Sequence, residues 1–327
     1  MRQPDADMRD AFFDSVYDLA TKDRNLIVLT ADHGAFSLER FKRDFPRQYF
    51  NVGISEQNMV SLAAGLALSG KILFIYSIVN FTTLRCFEQI SVDLGSMRLP
   101  VTIVGVGAGF TYSTDGPTHH GIQDIAAMAS VPNLSIFNCS DAYNSDAFAR
   151  IAYRARSPCY VRIEKGTFPA LYDRDADFSD GLAVLRKGEG VALLTSGYLV
   201  QAAMKAAREL GEEQIDARVI DLYRIKPLNT DLLVQSVRGA MALLTIEDNV
   251  ANGGIGTMVA AALMERGISL PLRRLSLGDA FCYRYGSRDW VYAMNGLDAP
   301  AIKRAALELL MKGNEATAGE PADPVRR

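Results

Sequence analysis

The stretch Asn51-Val52-Gly53-Ile54-Ser55-Glu56-Gln57-Asn58-Met59 places one carboxylate in the first turn of a helix that follows a short strand. The run behind it, Met59, Val60, Leu62, Ala63, Ala64, Leu66, Ala67 and Leu68, is apolar nearly all round. That pattern predicts a helix buried on all sides rather than half exposed. A carboxylate at the start of such a helix is costly unless a partner compensates it. Two readings stand. Glu56 is a helix cap, set against free backbone N–H groups and the positive end of the dipole, or it is a buried acid that serves a bound ring nitrogen.

Outward from this stretch, strands alternate with helices. Residues 25–30, 72–78, 101–106, 134–138 and 159–163 read as strands, and 9–19, 58–69, 81–95 and 142–154 as helices. Such alternation predicts a parallel, doubly wound sheet. A second, smaller series follows, with strands over 191–194, 217–221 and 242–246 and helices over 199–210, 257–266 and 301–311. The fold class is therefore α/β in two doubly wound domains. The boundaries are 1–172 for the first domain, 173–187 for an acidic linker and 188–312 for the second domain. A disordered tail rich in Gly, Glu, Ala and Pro is expected over 313–327.

The strand over 101–106 runs into Gly105-Val106-Gly107-Ala108-Gly109-Phe110, then Asp115-Gly116-Pro117-Thr118-His119-His120-Gly121. Loops at strand ends carry the chemistry of parallel α/β proteins. Asp-Gly-Pro fixes a tight turn and can aim His119 reproducibly. The plain alternative is a turn with solvated histidines. His33 follows Asp32 at another strand end, where it can approach a substrate, although a solvated loop histidine is the simpler reading.

At 327 residues, 49% hydrophobic and 22% charged, the chain can bury the core of two domains. The formal net charge of -3 and the lack of a basic run argue against nucleic acid and anionic membrane as partners. No apolar run reaches a membrane span, and the N-terminus lacks a signal-peptide segment. Cys86, Cys139, Cys159 and Cys282 have no metal-ligand spacing and read as reduced core thiols. A cytoplasmic location is expected.

Taken together, Gly53 to Met59, Phe81-Thr82-Thr83-Leu84-Arg85-Cys86-Phe87-Glu88-Gln89-Ile90, Asp115 to His120, Val219 to Leu228, and Thr245-Ile246-Glu247-Asp248-Asn249 with Gly253-Gly254-Ile255-Gly256 resemble the C-terminal half of a transketolase. The likeness covers residues 8–312 and is greatest to the separately encoded second subunit of split transketolases. It implies thiamine diphosphate as cofactor and transfer of a two-carbon ketol unit from a ketose to an aldehyde. Two alternatives remain. One is a related enzyme with a 2-oxoacid donor and decarboxylating acyl transfer. The other is a non-catalytic regulatory subunit.

The resemblance also gives the residues jobs. In this family an acid exchanges a proton with the cofactor's aminopyrimidine, and a hidden acid holds its proton near neutral pH better than a solvated one. Glu56 matches that acid. Phe81 and Phe87 match aromatic positions of the pyrimidine slot, where stacking adds about 0.5–1.5 kcal/mol beyond area burial. The plain reading is a core stripe of Phe81, Leu84, Phe87 and Ile90. Leu84 stands where the family has a third aromatic. Arg85 is assigned to the cofactor pocket, with an ion pair to Glu88 as the alternative. Asp115 and His119 match the substrate-facing pair, His119 as the proton-moving or hydrogen-bonding group. His120, His33, Lys165 and Arg162 complete the expected substrate residues.

Departures from the family bear on the substrate. Sugar-phosphate transketolases place a histidine for the distal phosphate eight residues before the Asp of Asp-Gly-Pro; here that position is Gly107. A lysine, Lys165, stands where they have an arginine, and it lacks the bidentate fork. Arg9 matches another phosphate-contacting arginine. Each charge-assisted hydrogen bond lost is worth about 1.5–3 kcal/mol, so a non-standard acceptor or donor is expected. The Gly-Asp-Gly motif that anchors Mg²⁺ is missing from the sequence, Gly278-Asp279-Ala280 being the nearest string. The resemblance therefore implies a partner polypeptide that carries that domain with the metal and diphosphate ligands, in an α2β2 heterotetramer.

Overall fold

Strands that are buried at every position need helices on both faces of their sheet. Residues Leu26–Thr30, Ile72–Ile78, Val101–Val106 and Cys159–Ile163 are such strands. In the computed structural model, which describes residues 6–318, the first half runs α1 (Met8–Ala20), β1 (Leu26–Thr30), α2 (Phe36–Asp44), β2 (Tyr49–Asn51), α3 (Glu56–Leu68), β3 (Ile72–Ile78), α4 (Val79–Thr82) and α5 (Phe87–Gln89). It continues with β4 (Val101–Val106), α6 (Asp124–Ala129), β5 (Ser135–Asn138), α7 (Ala142–Ala155) and β6 (Cys159–Ile163). The second half runs β7 (Ala183–Arg186), β8 (Val191–Thr195), α8 (Leu199–Glu212), β9 (Ala217–Asp221), β10 (Arg224–Lys226), α9 (Thr230–Val237), β11 (Ala242–Val250), α10 (Ile255–Glu265), β12 (Leu272–Leu277), α11 (Arg288–Met294) and α12 (Ala299–Ala318).

Among the described residues the strands form two sheets, of order β10-β5-β6-β4-β3-β1-β2 and β12-β11-β8-β9-β7. Pairing is parallel except at two edges, where β10 runs antiparallel to β5 and β7 antiparallel to β9. The two-sheet α/β architecture expected from the sequence is the one observed. β10 comes from the second half of the chain yet completes the first sheet. The two halves are therefore joined by backbone hydrogen bonds as well as by side chains.

Three expectations need correction. The span 173–187 contains β7, which belongs to the second sheet. The stretch before it is held in place: Arg224 donates to the carbonyls of Ser179 and Asp180 at 3.0 and 3.1 Å. The last helix continues to Ala318, so 313–318 are helical rather than part of a tail, and 319–327 lie outside the described residues. Finally, α3 is not buried all round. Glu56, Met59, Val60, Ala63, Ala64 and Ala67 face the core, whereas Leu62 and Leu68 are 40% and 63% exposed. Apolar periodicity reports what must leave water, and does not say whether the same chain or another covers it.

All four cysteines are buried and unpaired. The end of the first half has its own pin. Asp141 caps α7 and also accepts the N–H groups of Leu171 and Tyr172, at 2.8 and 3.0 Å. Asp141→Ala should therefore lower stability by about 2 kcal/mol, the upper range for a cap because two loop donors are orphaned too. Urea denaturation checks this, and a loss under about 0.5 kcal/mol would show the cap to be incidental.

Candidate active site

In a parallel sheet the strands' carboxyl ends lie along one edge, and the loops that leave them converge there. Here those loops bring together residues from four strands. His33 follows β1, Phe81 and Arg85 follow β3, Gly107 to His119 follow β4, and Lys165 follows β6.

Residues 81–95, expected as one helix, are broken. After α4 come a 3-10 turn at Leu84–Cys86, the short α5 and a π-helical stretch at Ile90–Ser96. Irregular turns of this kind re-aim side chains and are frequent at functional sites. They turn Arg85 toward α3, not along its own helix toward Glu88. Arg85 Nη1 donates to Glu56 Oε2 at 2.6 Å, and its guanidinium carbon lies 4.1 Å from the centre of the Phe81 ring. Glu56 is 2% exposed, while the Arg85 side chain is 41% exposed. The acid is thus sequestered, and its cationic partner reaches the surface.

The file of side chains continues from there. The Phe81 and His119 rings are edge to face at 5.1 Å, and His119 and Tyr112 at 6.0 Å. The Tyr112 hydroxyl is 3.4 Å from His33 Nε2. His33 in turn packs against Tyr76 at 5.3 Å. Burial, reinforced by Arg9, Lys165 and His119, pulls His33 down to about 4, so it is a neutral imidazole at physiological pH. This corrects the solvated-loop reading of His33. Asp115 is exposed on the Asp-Gly-Pro turn, and Lys165 is exposed at the end of β6.

The His119 loop is anchored by a residue with no motif to announce it. Asn80 Nδ2 donates to the carbonyls of Thr118 and His120, at 3.1 and 2.9 Å. Thr118 Oγ1 is 2.9 Å from His119 Nδ1 and restrains the ring.

Two expected substrate residues lie elsewhere. His120 is buried against Phe110 in the seam between the halves, with ring centres 5.0 Å apart. Adjacent loop residues alternate in direction, so only His119 faces the edge. Arg162 is fully buried. It binds Asp124 Oδ2 at 2.8 Å, Asp248 Oδ1 at 3.1 Å and the Gly121 carbonyl at 2.6 Å. A strand interior points its side chain into a layer, here the one between the two sheets. Phe87 is 38% exposed on α5, one turn beyond the Phe81–Arg85 stack.

Two family models match the chain. The model for the transketolase pyrimidine binding domain matches residues 5–170, and that for the transketolase C-terminal domain matches 181–302.

The chain belongs to the transketolase family.

It is 32% identical to one of the subunits of the apulose-4-phosphate transketolase of Phocaeicola vulgatus, over 93% of this chain and 97% of that one. It is 31% identical to the 6-deoxy-6-sulfo-D-fructose transketolase subunit SqwH of a Clostridium species, over 94% and 95%. Among solved structures it resembles a split-gene transketolase described as an inactive beta4 tetramer, with a TM-score of 0.85, 31% identity and coverage of 93% and 98%. As a split transketolase subunit it is a transferase of two-carbon ketol units that acts with a partner chain, and its family uses thiamine diphosphate. Among the described residues no helix is long and apolar enough to cross a membrane.

Proposed function

We propose that this chain is the pyrimidine-binding subunit of a split transketolase with a non-standard sugar substrate. One observation carries the reading. A sequestered acid, an aromatic ring and a histidine lie in one file along the carboxyl edge of the first sheet: Glu56, Phe81 and His119. A ring that must be stacked on one face and hydrogen-bonded by a hidden acid fits this set. Phe81 supplies the apolar wall, Glu56 the carboxyl, and the surface-reaching Arg85 can be displaced or shifted by an incoming ring.

Thiamine diphosphate, when bound, supplies the nucleophilic carbon that takes up the two-carbon unit. The work of this chain is around it. Glu56 presents its carboxyl to the ring, shielded from solvent by burial. His119 donates to substrate oxygens or moves a proton. Asp115 accepts from a substrate hydroxyl. Lys165 and His33 face the far end of the substrate. Phe87, though partly exposed here, remains part of the cofactor wall once a partner covers it.

The partner chain carries the Gly-Asp-Gly domain, with Mg²⁺ and the diphosphate ligands, in an α2β2 assembly in the cytoplasm. Exposed apolar side chains on this part of the chain support such a covering surface: Ile54 at 77%, Leu62 at 40% and Val92 at 56%.

Co-expression with that partner, followed by assay of ketose and 2-oxoacid donors with thiamine diphosphate and Mg²⁺, tests the reading. Ketol transfer without CO₂ release is expected. CO₂ release from pyruvate as the main reaction would replace it with the decarboxylating alternative, and no turnover of any donor would favour a regulatory subunit. His119→Ala should lower kcat/KM by about 10²-fold, as loss of a proton-transferring group does. A change below about threefold would remove His119 from the reacting centre.

A further inference from the structure

Asp115 and His119 stand on two turns that share one residue. The Asp115 N–H donates to the Tyr112 carbonyl at 3.0 Å, and the His119 N–H donates to the Gly116 carbonyl at 2.9 Å. Gly116 joins the two at φ +81°. It can take either sign of φ and has no side chain to anchor it. Rotation there would swing Asp115 relative to His119, because each turn is closed on its own side of the glycine. How these two side chains face one substrate is therefore set by whatever holds Gly116.

The hold comes from the other half of the chain. A Cβ built on Gly116 would lie 2.9 Å from Oη and 3.1 Å from Cε1 of Tyr285, so that ring lies over the shared residue. Ser113 Oγ donates to the carbonyl of the next residue, Gly286, at 2.7 Å. The Phe110 N–H donates to Tyr292 Oη at 3.3 Å. Arg288 Nη1 donates to Glu164 Oε2 at 3.1 Å, one residue before Lys165. One short segment, Tyr285 to Tyr292, thus reaches the loops that follow both β4 and β6. Asn80 holds the far side of the His119 turn, through Thr118 and His120. Tyr285 is the group on the Gly116 side. It is 57% exposed, so it adds little to the core, and its contact with the turn is what it contributes.

We propose that Tyr285 is a positioning residue of the ketol-transfer site, supplied by the second half of the chain, whose ring holds the Gly116 turn so that Asp115 and His119 meet one substrate together. The proposal rests on the ketol-transfer reading above and adds a residue to it.

Two measurements on Tyr285→Ala and Tyr285→Phe test it. The first is amide hydrogen exchange of the full chain. Tyr285→Ala should speed exchange over residues 113–119 by about tenfold or more, with β4 unchanged. Tyr285→Phe keeps the ring and should leave both as in wild type. The second is ketol transfer by the enzyme assembled with its partner chain, thiamine diphosphate and Mg²⁺, using the ketose donor and aldehyde acceptor that the wild type turns over fastest. Tyr285→Ala should lower kcat/KM by about tenfold, as misplacement of a reacting group does, and Tyr285→Phe by less than about twofold. In a His119→Ala background Tyr285→Ala should cost less than about threefold, because a ring that acts through the turn adds little once its histidine is gone. Unchanged exchange over 113–119 in Tyr285→Ala, or a kcat/KM within about twofold of wild type, overturns the assignment. So does a Tyr285→Phe variant as slow as Tyr285→Ala, or a tenfold loss that persists without His119. A wild type that transfers no ketol unit from any ketose donor overturns the underlying reading, and the exchange result alone then decides what Tyr285 holds.

Discussion

Glu56→Gln in the assembled enzyme should reduce turnover to below about one-thousandth of wild type, in the upper range for loss of a positioned acid–base group. Glutamine has the same shape and can still accept from Arg85, so packing of the α3 N-terminus survives. What it cannot do is give up and regain a proton. The wild-type side chain is 2% exposed, so no bulk water stands ready to replace it. The measurement is steady-state ketol transfer, with thiamine diphosphate affinity followed separately by calorimetry. Turnover above about a tenth of wild type would remove Glu56 from its role, since acid–base contributions are seldom so small. A melting temperature close to wild type is expected, because Arg85 is 41% exposed and is resolvated on losing a charged partner.

The largest structural effect is expected at Arg162. Its guanidinium meets Asp124 and Asp248 in a layer where none of the three is more than 5% exposed. The carboxylates have further donors: Tyr160 to Asp124 at 2.7 Å, and Tyr292 to Asp248 at 3.1 Å. Arg162→Met keeps most of the volume but leaves two buried carboxylates without their cation. Removing one member of such a set costs about 3–5 kcal/mol. For domains of this size that corresponds to a melting temperature lower by roughly 6–20 °C. Thermal unfolding of the purified chain, alone and with its partner, reads the effect. A shift under about 2 °C would show that the network contributes no net stability. Asp124 comes from α6 and Asp248 from β11, so the same variant should loosen the contact between the two halves.

These two residues mark how far the sequence is legible. Glu56, Asp115 and His119 stand out because each sits in a short motif. An acid opens an apolar helix, and a tight turn follows a glycine-rich strand end. The alternation of strands and helices is equally local, and so is the parallel, doubly wound sheet that follows from it. Arg162 reads as a substrate residue in the sequence because the resemblance puts a phosphate-contacting arginine just after its strand. Its two carboxylates lie 38 positions before it and 86 after it, and no spacing rule connects them. His120 misleads for a related reason, since adjacent residues of a turn share a motif but not a direction.

By itself the chain determined the apolar periods, the turn chemistry and the positions of its acids and histidines, since these depend on neighbours within a few bonds. Only the tertiary structure decided which groups meet. Arg85 was turned onto Glu56 by a broken helix. Tyr285 came to lie over Gly116. Asn80 took hold of the His119 loop, and β10 crossed to the other sheet. Each of these contacts joins segments whose approach is set by packing of the whole core. Side-chain direction and burial are properties of that packing, and a linear pattern holds no record of them.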